Sequence, residues 1–137
     1  MNSPRALERT TRFDVPFHHC DPLNVVWHGR YLEYFEVARQ KLLEQLELDV
    51  PRIRDMGFRM YITEARCRYM FPLHYGDAFE VTARIVEARP LLRIAYEVKN
   101  LTHGRKSARA STTLATTDAQ GKLFPETPDA IVSRIQG

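Results

Sequence analysis

A single change of hydrophobic period divides this chain of 137 residues. From about residue 27 to residue 48, apolar residues recur every three or four positions, which is the period of an amphipathic helix. After Gly57 apolar and polar residues alternate, which is typical of strands with one buried face. The apolar positions of the first segment are Tyr31, Phe35, Ala38, Leu42 and Leu46. The pattern therefore predicts one long helix followed by an antiparallel sheet.

Strand-like segments lie on both sides of the helix in the sequence. We expect a first strand at 9–17, and later strands at 60–71, 78–88, 92–98 and 105–117, with turns at Gly76-Asp77 and Arg89-Pro90 between them. Residues 51–56 can add one helical turn, and 128–135 form a short terminal element whose type the sequence does not decide. This order predicts an α+β fold, with one helix packed against a curved sheet, in a single domain of residues 1–137.

The composition narrows the class of protein. A hydrophobic content of 44% suits one globular domain. Cys20 and Cys67 form no C-x-x-C pair, and neither a signal peptide nor an apolar run of about 18 residues is present. We expect a cytoplasmic protein that does not enter a membrane. The net charge of +3 is dispersed along the chain, which argues against nucleic acid as a partner.

The segment 17–30 positions a carboxylate, Asp21, just ahead of the predicted helix. Free N–H groups and the positive end of the helix dipole meet at such a helix start and can polarise a carbonyl group, while Asp21 supplies a base or nucleophile. The segment therefore favours acyl-transfer chemistry. Each residue also has a structural interpretation: Asp21 as a turn or cap, His28 as an ordinary exposed histidine, and Trp27 as a core residue.

The same residues carry a family resemblance. Cys20-Asp21-Pro22, then Val25-Val26-Trp27-His28, then the helix segment 31–39 resemble the sequence pattern of hotdog-fold acyl-CoA thioesterases. The resemblance is to the 4-hydroxybenzoyl-CoA thioesterase branch in particular. It implies a hotdog fold, in which a curved antiparallel β-sheet wraps around one long central helix. It also implies a homodimer or homotetramer with its active site between subunits.

The resemblance implies roles for individual residues. Asp21 is similar to the catalytic aspartate, and the amide near His28 resembles the donor that polarises the thioester carbonyl. The His28 imidazole matches a histidine of one branch of the family. We treat Asn24, Trp27 and Tyr31 as candidate substrate-binding residues, and we expect no cofactor. The substrate would be an acyl-CoA, or alternatively an acyl carrier protein thioester; a non-catalytic module that binds acyl thioesters is the other alternative.

Several points in the sequence leave alternatives open. Many members have a glycine in the acidic loop, whereas this chain has Leu23-Asn24, in which only Asn24 readily adopts a left-handed backbone. Some hotdog enzymes use a helix glutamate. The other candidate carboxylates here are Glu33, Glu36 and Glu64, the last of which also fits an ion pair with Arg66 or Arg68.

Sites for phosphate, an acyl group or a metal would draw on further residues. For the phosphates of coenzyme A, the available cations near predicted strand ends are Arg59, Arg89, Arg93 and Arg105. An aromatic acyl pocket could draw on Trp27, Tyr31, Phe35 and Tyr61. The spacing of the histidines, Cys20 and Asp21 in residues 18–28 fits no known metal framework, so we expect no metal.

Overall fold

The computed structural model describes residues 7–136, in which five strands form one antiparallel sheet. The strand order across the sheet is β1-β3-β4-β5-β2. The strands are β1 Glu8–Asp14, β2 Phe58–Tyr69, β3 Ala78–Glu87, β4 Leu92–Asn100 and β5 Arg105–Asp118. The chain therefore puts β2, the first strand after the helix, at the opposite edge of the sheet from β1.

Three α-helices accompany the sheet: α1 Tyr31–Gln45, α2 Val50–Asp55 and α3 Asp129–Gln136. The predicted start of the long helix at residue 27 is wrong by four residues. His28–Arg30 form a 3-10 turn instead, in which the Arg30 amide donates to the Trp27 carbonyl at 2.9 Å. The undecided terminal element is a helix, because its apolar residues Ile131, Val132 and Ile135 are buried on one side.

The α1 helix packs its apolar side against the sheet. Phe35 is 1% exposed and stacks on Tyr96 of β4 with ring centroids 4.9 Å apart. Burying a side chain of this size contributes roughly 1.5–3 kcal/mol. The predicted inward faces of β3 and β4 are confirmed as buried: Phe79, Val81, Ala83 and Ile85, and Leu92, Ile94, Tyr96 and Val98. The fold is the predicted α+β hotdog arrangement of a curved antiparallel sheet around one long helix.

The first strand is shorter than its predicted range of 9–17. It ends at Asp14, because Pro16 has no N–H to offer a sheet partner, and a 3-10 turn follows at Phe17–His19. Because the strand ends at Asp14, the residues that follow are free to form the loop that carries Asp21. Among residues 7–136, no helix combines the length and the apolar character needed to cross a membrane.

Two loops meet beside the start of α1. Val25 pairs with His74 as an isolated antiparallel bridge, and the Val26 amide donates to the Leu73 carbonyl at 2.8 Å. Val26 and Leu73 are both buried. The turn between β2 and β3 thus supports the loop that precedes the helix.

Candidate active site

The acidic loop is a small hairpin closed by its own backbone. Cys20 pairs with Val26, and the Asp21 amide donates to the Val25 carbonyl at 2.9 Å. Asn24 turns the chain with a φ of 66°, in the left-handed region that Asn tolerates better than most residues. The prediction that Asn24 adopts this conformation is confirmed. Its role as a substrate-binding residue stays a prediction.

The hairpin holds one oxygen of the Asp21 carboxylate and leaves the other available. Oδ1 accepts hydrogen bonds from the amides of Leu23, at 2.9 Å, and Val25, at 3.3 Å. Within residues 7–136, Oδ2 accepts no hydrogen bond. Because the side chain is only half-buried, Oδ2 can approach a bound molecule or water. Asp21 is thus the turn residue of the structural interpretation, and its role as base or nucleophile stays a prediction that the free oxygen leaves open.

The 3-10 turn ahead of α1 supplies hydrogen-bond donors. In the part of the chain that the structure describes, the amides of His28 and Gly29 donate to no other residue. Amides at a helix start lack intrahelical acceptors and carry the positive end of the helix dipole. They can therefore stabilise negative charge on an oxygen atom within hydrogen-bonding distance.

The His28 side chain faces a small cavity. Its ring stacks on Tyr69 of β2, with centroids 4.3 Å apart and planes at 16°, and the Tyr69 hydroxyl donates to the His28 carbonyl at 3.4 Å. The cavity has a volume of about 180 Å³. It is lined by Val25, Val26, His28, Tyr31, Tyr69, Met70, Phe71 and Pro72. No contact joins His28 to Asp21 in residues 7–136, so the two residues flank the loop separately.

The aromatic candidates do not form one pocket. Trp27 is 63% exposed at the helix start, whereas Tyr31 is buried beside His28 and contacts Tyr69 edge to face. Burial raises the pKa of Tyr31 well above its usual value, so the hydroxyl stays neutral. Phe35 belongs to the core, and Tyr61 lines a separate cavity beside α2. Within one chain, the four residues therefore do not line a common cavity, and Phe35 takes the core position that the sequence equally allowed.

Tyr69 is the site residue that the sequence does not reveal. It lies in a strand whose alternation predicts only its face, and its neighbourhood depends on how β2 passes the helix start. Burial is the main cause that raises the pKa of Tyr69 to about 12, so its hydroxyl remains a hydrogen-bond donor at neutral pH.

The alternative carboxylates are engaged elsewhere or exposed. Glu33 pairs with Arg30 at 3.1 Å, and Glu64 pairs with Arg66 at 3.3 Å, which confirms the predicted ion pair on the sheet. Glu36 is exposed on α1. Among these candidates, Asp21 is the carboxylate that lies in the loop preceding the helix start and keeps one oxygen free of hydrogen bonds in the described residues.

The four arginines proposed to bind the phosphates of coenzyme A differ in whether a carboxylate already pairs with them. Arg89 pairs with Glu126 and Asp129, and Arg93 pairs with Glu87 at 3.7 Å. Arg59 instead lines the cavity beside α2, which has a volume of about 400 Å³ and also includes Arg39 and Arg54. Arg105 covers the Phe71 ring at 4.6 Å. Of the four candidates, Arg59 and Arg105 keep their charge free of a carboxylate in the described residues.

Comparison of the sequence with known proteins identifies a family and individual relatives. A sequence model of the Thioesterase-like superfamily matches residues 15–135. A protein of Aquifex aeolicus that is provisionally named an esterase is 37% identical over 73 residues, which are 53% of this chain and 57% of that protein. The matched region thus spans little more than half the length of that relative.

Solved structures share the whole fold. A hypothetical protein of Aquifex aeolicus superposes with a TM-score of 0.82 at 29% identity, covering 93% of this chain and 98% of its own. A 1,4-dihydroxy-2-naphthoyl-CoA thioesterase of Synechocystis superposes with a TM-score of 0.82 at 22% identity, covering 94% and 96%. At that lower identity the likeness shows the fold alone.

Proposed function

Because the chain belongs to the thioesterase-like superfamily, we propose that it hydrolyses an acyl-CoA thioester to a carboxylic acid and coenzyme A. The observation that carries the proposal is the state of the Asp21 carboxylate, with one oxygen fixed by the amides of its own loop and the other free of hydrogen bonds in the described residues, in the loop that precedes α1 in the sequence. Thioester hydrolysis needs an attacking oxygen and a site for the developing oxyanion, and both are supplied within residues 21–29.

Asp21 either activates or supplies the attacking oxygen. Its free Oδ2 either removes a proton from the water that attacks the thioester carbonyl, or attacks that carbonyl itself to form an anhydride that water then cleaves. In both routes the C–S bond breaks and the thiol leaves as thiolate, whose low pKa requires little protonation. Positioned general-base catalysis contributes about 10²- to 10⁴-fold to a rate.

The amides of His28 and Gly29 receive the oxyanion. A donor of this kind is typically worth roughly 3 kcal/mol of transition-state stabilisation. The backbone supplies this role whatever the side chain, so the His28 imidazole acts chiefly through its position on Tyr69, at the wall of the 180 Å³ cavity. Asn24, Trp27 and Tyr31 remain the proposed substrate-binding residues, and of the three only Tyr31 lines this cavity.

The proposed enzyme works in the cytoplasm as a homodimer or as a dimer of dimers, with each active site between subunits. Its free thiols, Cys20 and Cys67, suit a reducing compartment. The support for assembly is the outer edge of β2, which pairs only with β5 in the described chain and exposes Tyr61 and Ile62. An exposed strand edge with large apolar side chains favours association with a second copy.

The test is thiol release from short, long and aromatic acyl-CoAs by the wild type and by Asp21→Asn. The asparagine side-chain carbonyl can still accept the Leu23 and Val25 amides, so the hairpin is retained while the negative charge is lost. We expect kcat to fall by about 10²-fold or more, with an unchanged circular dichroism spectrum. Asp55→Asn, an exposed position at the end of α2, is the matched control and should keep full activity.

Three other outcomes would change the proposal. Equal activity of Asp21→Asn and the wild type would remove Asp21 from the mechanism. Faster hydrolysis of acyl carrier protein thioesters than of acyl-CoAs would change the carrier and keep the chemistry. Tight acyl-CoA binding without turnover of any thioester by the wild type would reject the enzyme and identify a binding module.

A further inference from the structure

A buried carboxylate lies between two imidazole rings at the end of the sheet next to the acidic loop. Asp77 is 5% exposed. Its Oδ2 lies 3.3 Å from His74 Nδ1, and its Oδ1 lies 3.4 Å from His103 Nε2. His74 and Asp77 belong to the turn between β2 and β3, whereas His103 belongs to the turn between β4 and β5. The sheet therefore brings together three side chains from two separate turns.

His74 Nδ1 and Asp77 Oδ2 are hydrogen-bonded to each other in this structure, and the same separations also match the spacing of ligands around a metal ion. Zinc binds imidazole nitrogen and carboxylate oxygen at about 2.0–2.2 Å, so neighbouring ligand atoms of a tetrahedral site lie roughly 3.4 Å apart. One ligand atom from each of the three residues lies within 4.8 Å of the other two. The two rings are partly exposed, at 36% and 44%, so a small rotation of either ring can close the remaining distance.

The carboxylate is held in place by surrounding donors. Asn100, which is fully buried, donates to Asp77 Oδ2 at 2.8 Å, and the His74 amide donates to the same oxygen at 3.0 Å. An ionised carboxylate oriented by second partners is the form that binds a metal.

We propose that His74, Asp77 and His103 bind one divalent transition-metal ion, with Zn²⁺ as the reference case. Two imidazole nitrogens and one carboxylate oxygen suit zinc, cobalt or nickel better than magnesium or calcium, which prefer oxygen ligands alone. The sequence predicts no metal site, because the three ligands come from two turns that only the strand order brings together; the proposed site departs from that expectation.

The ion stabilises the acidic loop. His74 pairs through its backbone with Val25, and the adjacent Tyr75 amide donates to the Asn24 carbonyl at 3.4 Å. The turn between β2 and β3 supports the Asp21 hairpin. A metal bound by both His74 and His103 therefore links this turn to the turn between β4 and β5. The role is structural, and it is independent of the proposed hydrolysis.

The experiment uses full-length protein without a histidine tag, freed of metal with a chelator. Zn²⁺ is titrated by calorimetry, and Co²⁺ is added to look for the visible absorption of a four-coordinate nitrogen and oxygen site. We expect one ion per chain and a higher melting temperature with Zn²⁺. His103→Ala should weaken binding at least tenfold, because one of three protein ligands is lost. The control, His18→Ala, removes an exposed histidine outside the cluster and should bind as the wild type does.

His74→Ala is the second test variant, because its backbone pairing with Val25 does not need the imidazole. Circular dichroism of both variants without metal shows whether they fold. Absence of saturable one-to-one binding by the wild type overturns the proposal. Binding that is undiminished in both folded variants overturns it equally, since the ion would then sit elsewhere.

Discussion

At the scale of single residues, the indole ring of Trp27 lies across Gly29 and occupies the space that a side chain at this position would need. A Cβ at this position would be 2.0 Å from Cζ3 of Trp27, which is the far end of a mobile side chain. Because Trp27 is 63% exposed, the ring can swing out into water. We expect Gly29→Ala to displace the indole from the helix start while changing the melting temperature little.

Fluorescence checks this prediction directly, because Trp27 is the one tryptophan of the chain. Displacement should shift the emission to longer wavelength and increase quenching by acrylamide. A Gly121→Ala control, in a turn with no neighbour within 4 Å, should leave the emission unchanged. If Gly29→Ala has the wild-type spectrum, the contact between the indole and Gly29 does not exist in solution.

His19 gives the site loop a dependence on pH. Its Nδ1 lies 2.6 Å from the Tyr34 hydroxyl, and a neutral ring accepts that hydrogen bond. Burial, followed by the charges of His18 and Arg30, lowers the pKa of His19 below 6.5, against the opposing effect of Glu33. Between that lowered value and 6.5 the unfolded chain binds more protons, so the free energy of unfolding decreases as the pH falls through this window.

Urea unfolding at about pH 5 and pH 8 measures this effect. His19→Gln should reduce the loss of stability on acidification, because glutamine accepts the Tyr34 hydroxyl at any pH. His18→Gln, which alters an exposed neighbour, should lose stability as the wild type does. An identical pH dependence for the wild type and His19→Gln would contradict the assignment.

At the scale of elements, α1 contributes stability through one face. Phe35 is fully packed against Tyr96, so Phe35→Ala should lower the free energy of unfolding by about 3–5 kcal/mol. Leu32, on the same helix, is 51% exposed, and Leu32→Ala should cost well under about 1 kcal/mol. Chemical denaturation of the two variants compares them. Similar losses would mean that the outer face of α1 is also buried, as in an assembly.

The helices and strands were predictable where the hydrophobic period of the sequence is strong. The inward faces of β3 and β4 follow from alternation alone. The first and last residues of the elements were less predictable. The 3-10 turn at His28–Arg30, for example, depends on one hydrogen bond from the Arg30 amide to the Trp27 carbonyl. Asp21 and His28 could be proposed together from the sequence because they lie in one short segment ahead of the helix. Tyr69 and the group of His74, Asp77 and His103 could not, because only the strand order brings them to their neighbours.

At the scale of the whole molecule, we expect a particle with twice the chain mass of 16.0 kDa, or four times that mass. Light scattering after gel filtration measures it. Ile62→Lys introduces a charge on the exposed apolar part of β2 and should shift the particle towards the monomer, with loss of activity. Val86→Lys, at a similarly exposed apolar position on β3, is the control that should keep the wild-type mass. A monomeric wild type with full activity would refute the shared active site.

The strand order has a consequence for synthesis on the ribosome. In the described residues β2 pairs only with β5, from Tyr69 with Ala108 to Phe58 with Asp118, so β2 has no sheet partner until β5 has left the exit tunnel. Until then, β2 and the apolar face of α1 stay open to holding chaperones and to unwanted pairing with other chains. The order of emergence therefore delays the final folding step, and pairings so distant in sequence form slowly. Codon changes that slow translation between β2 and β5 should prolong this exposed interval and reduce the soluble yield.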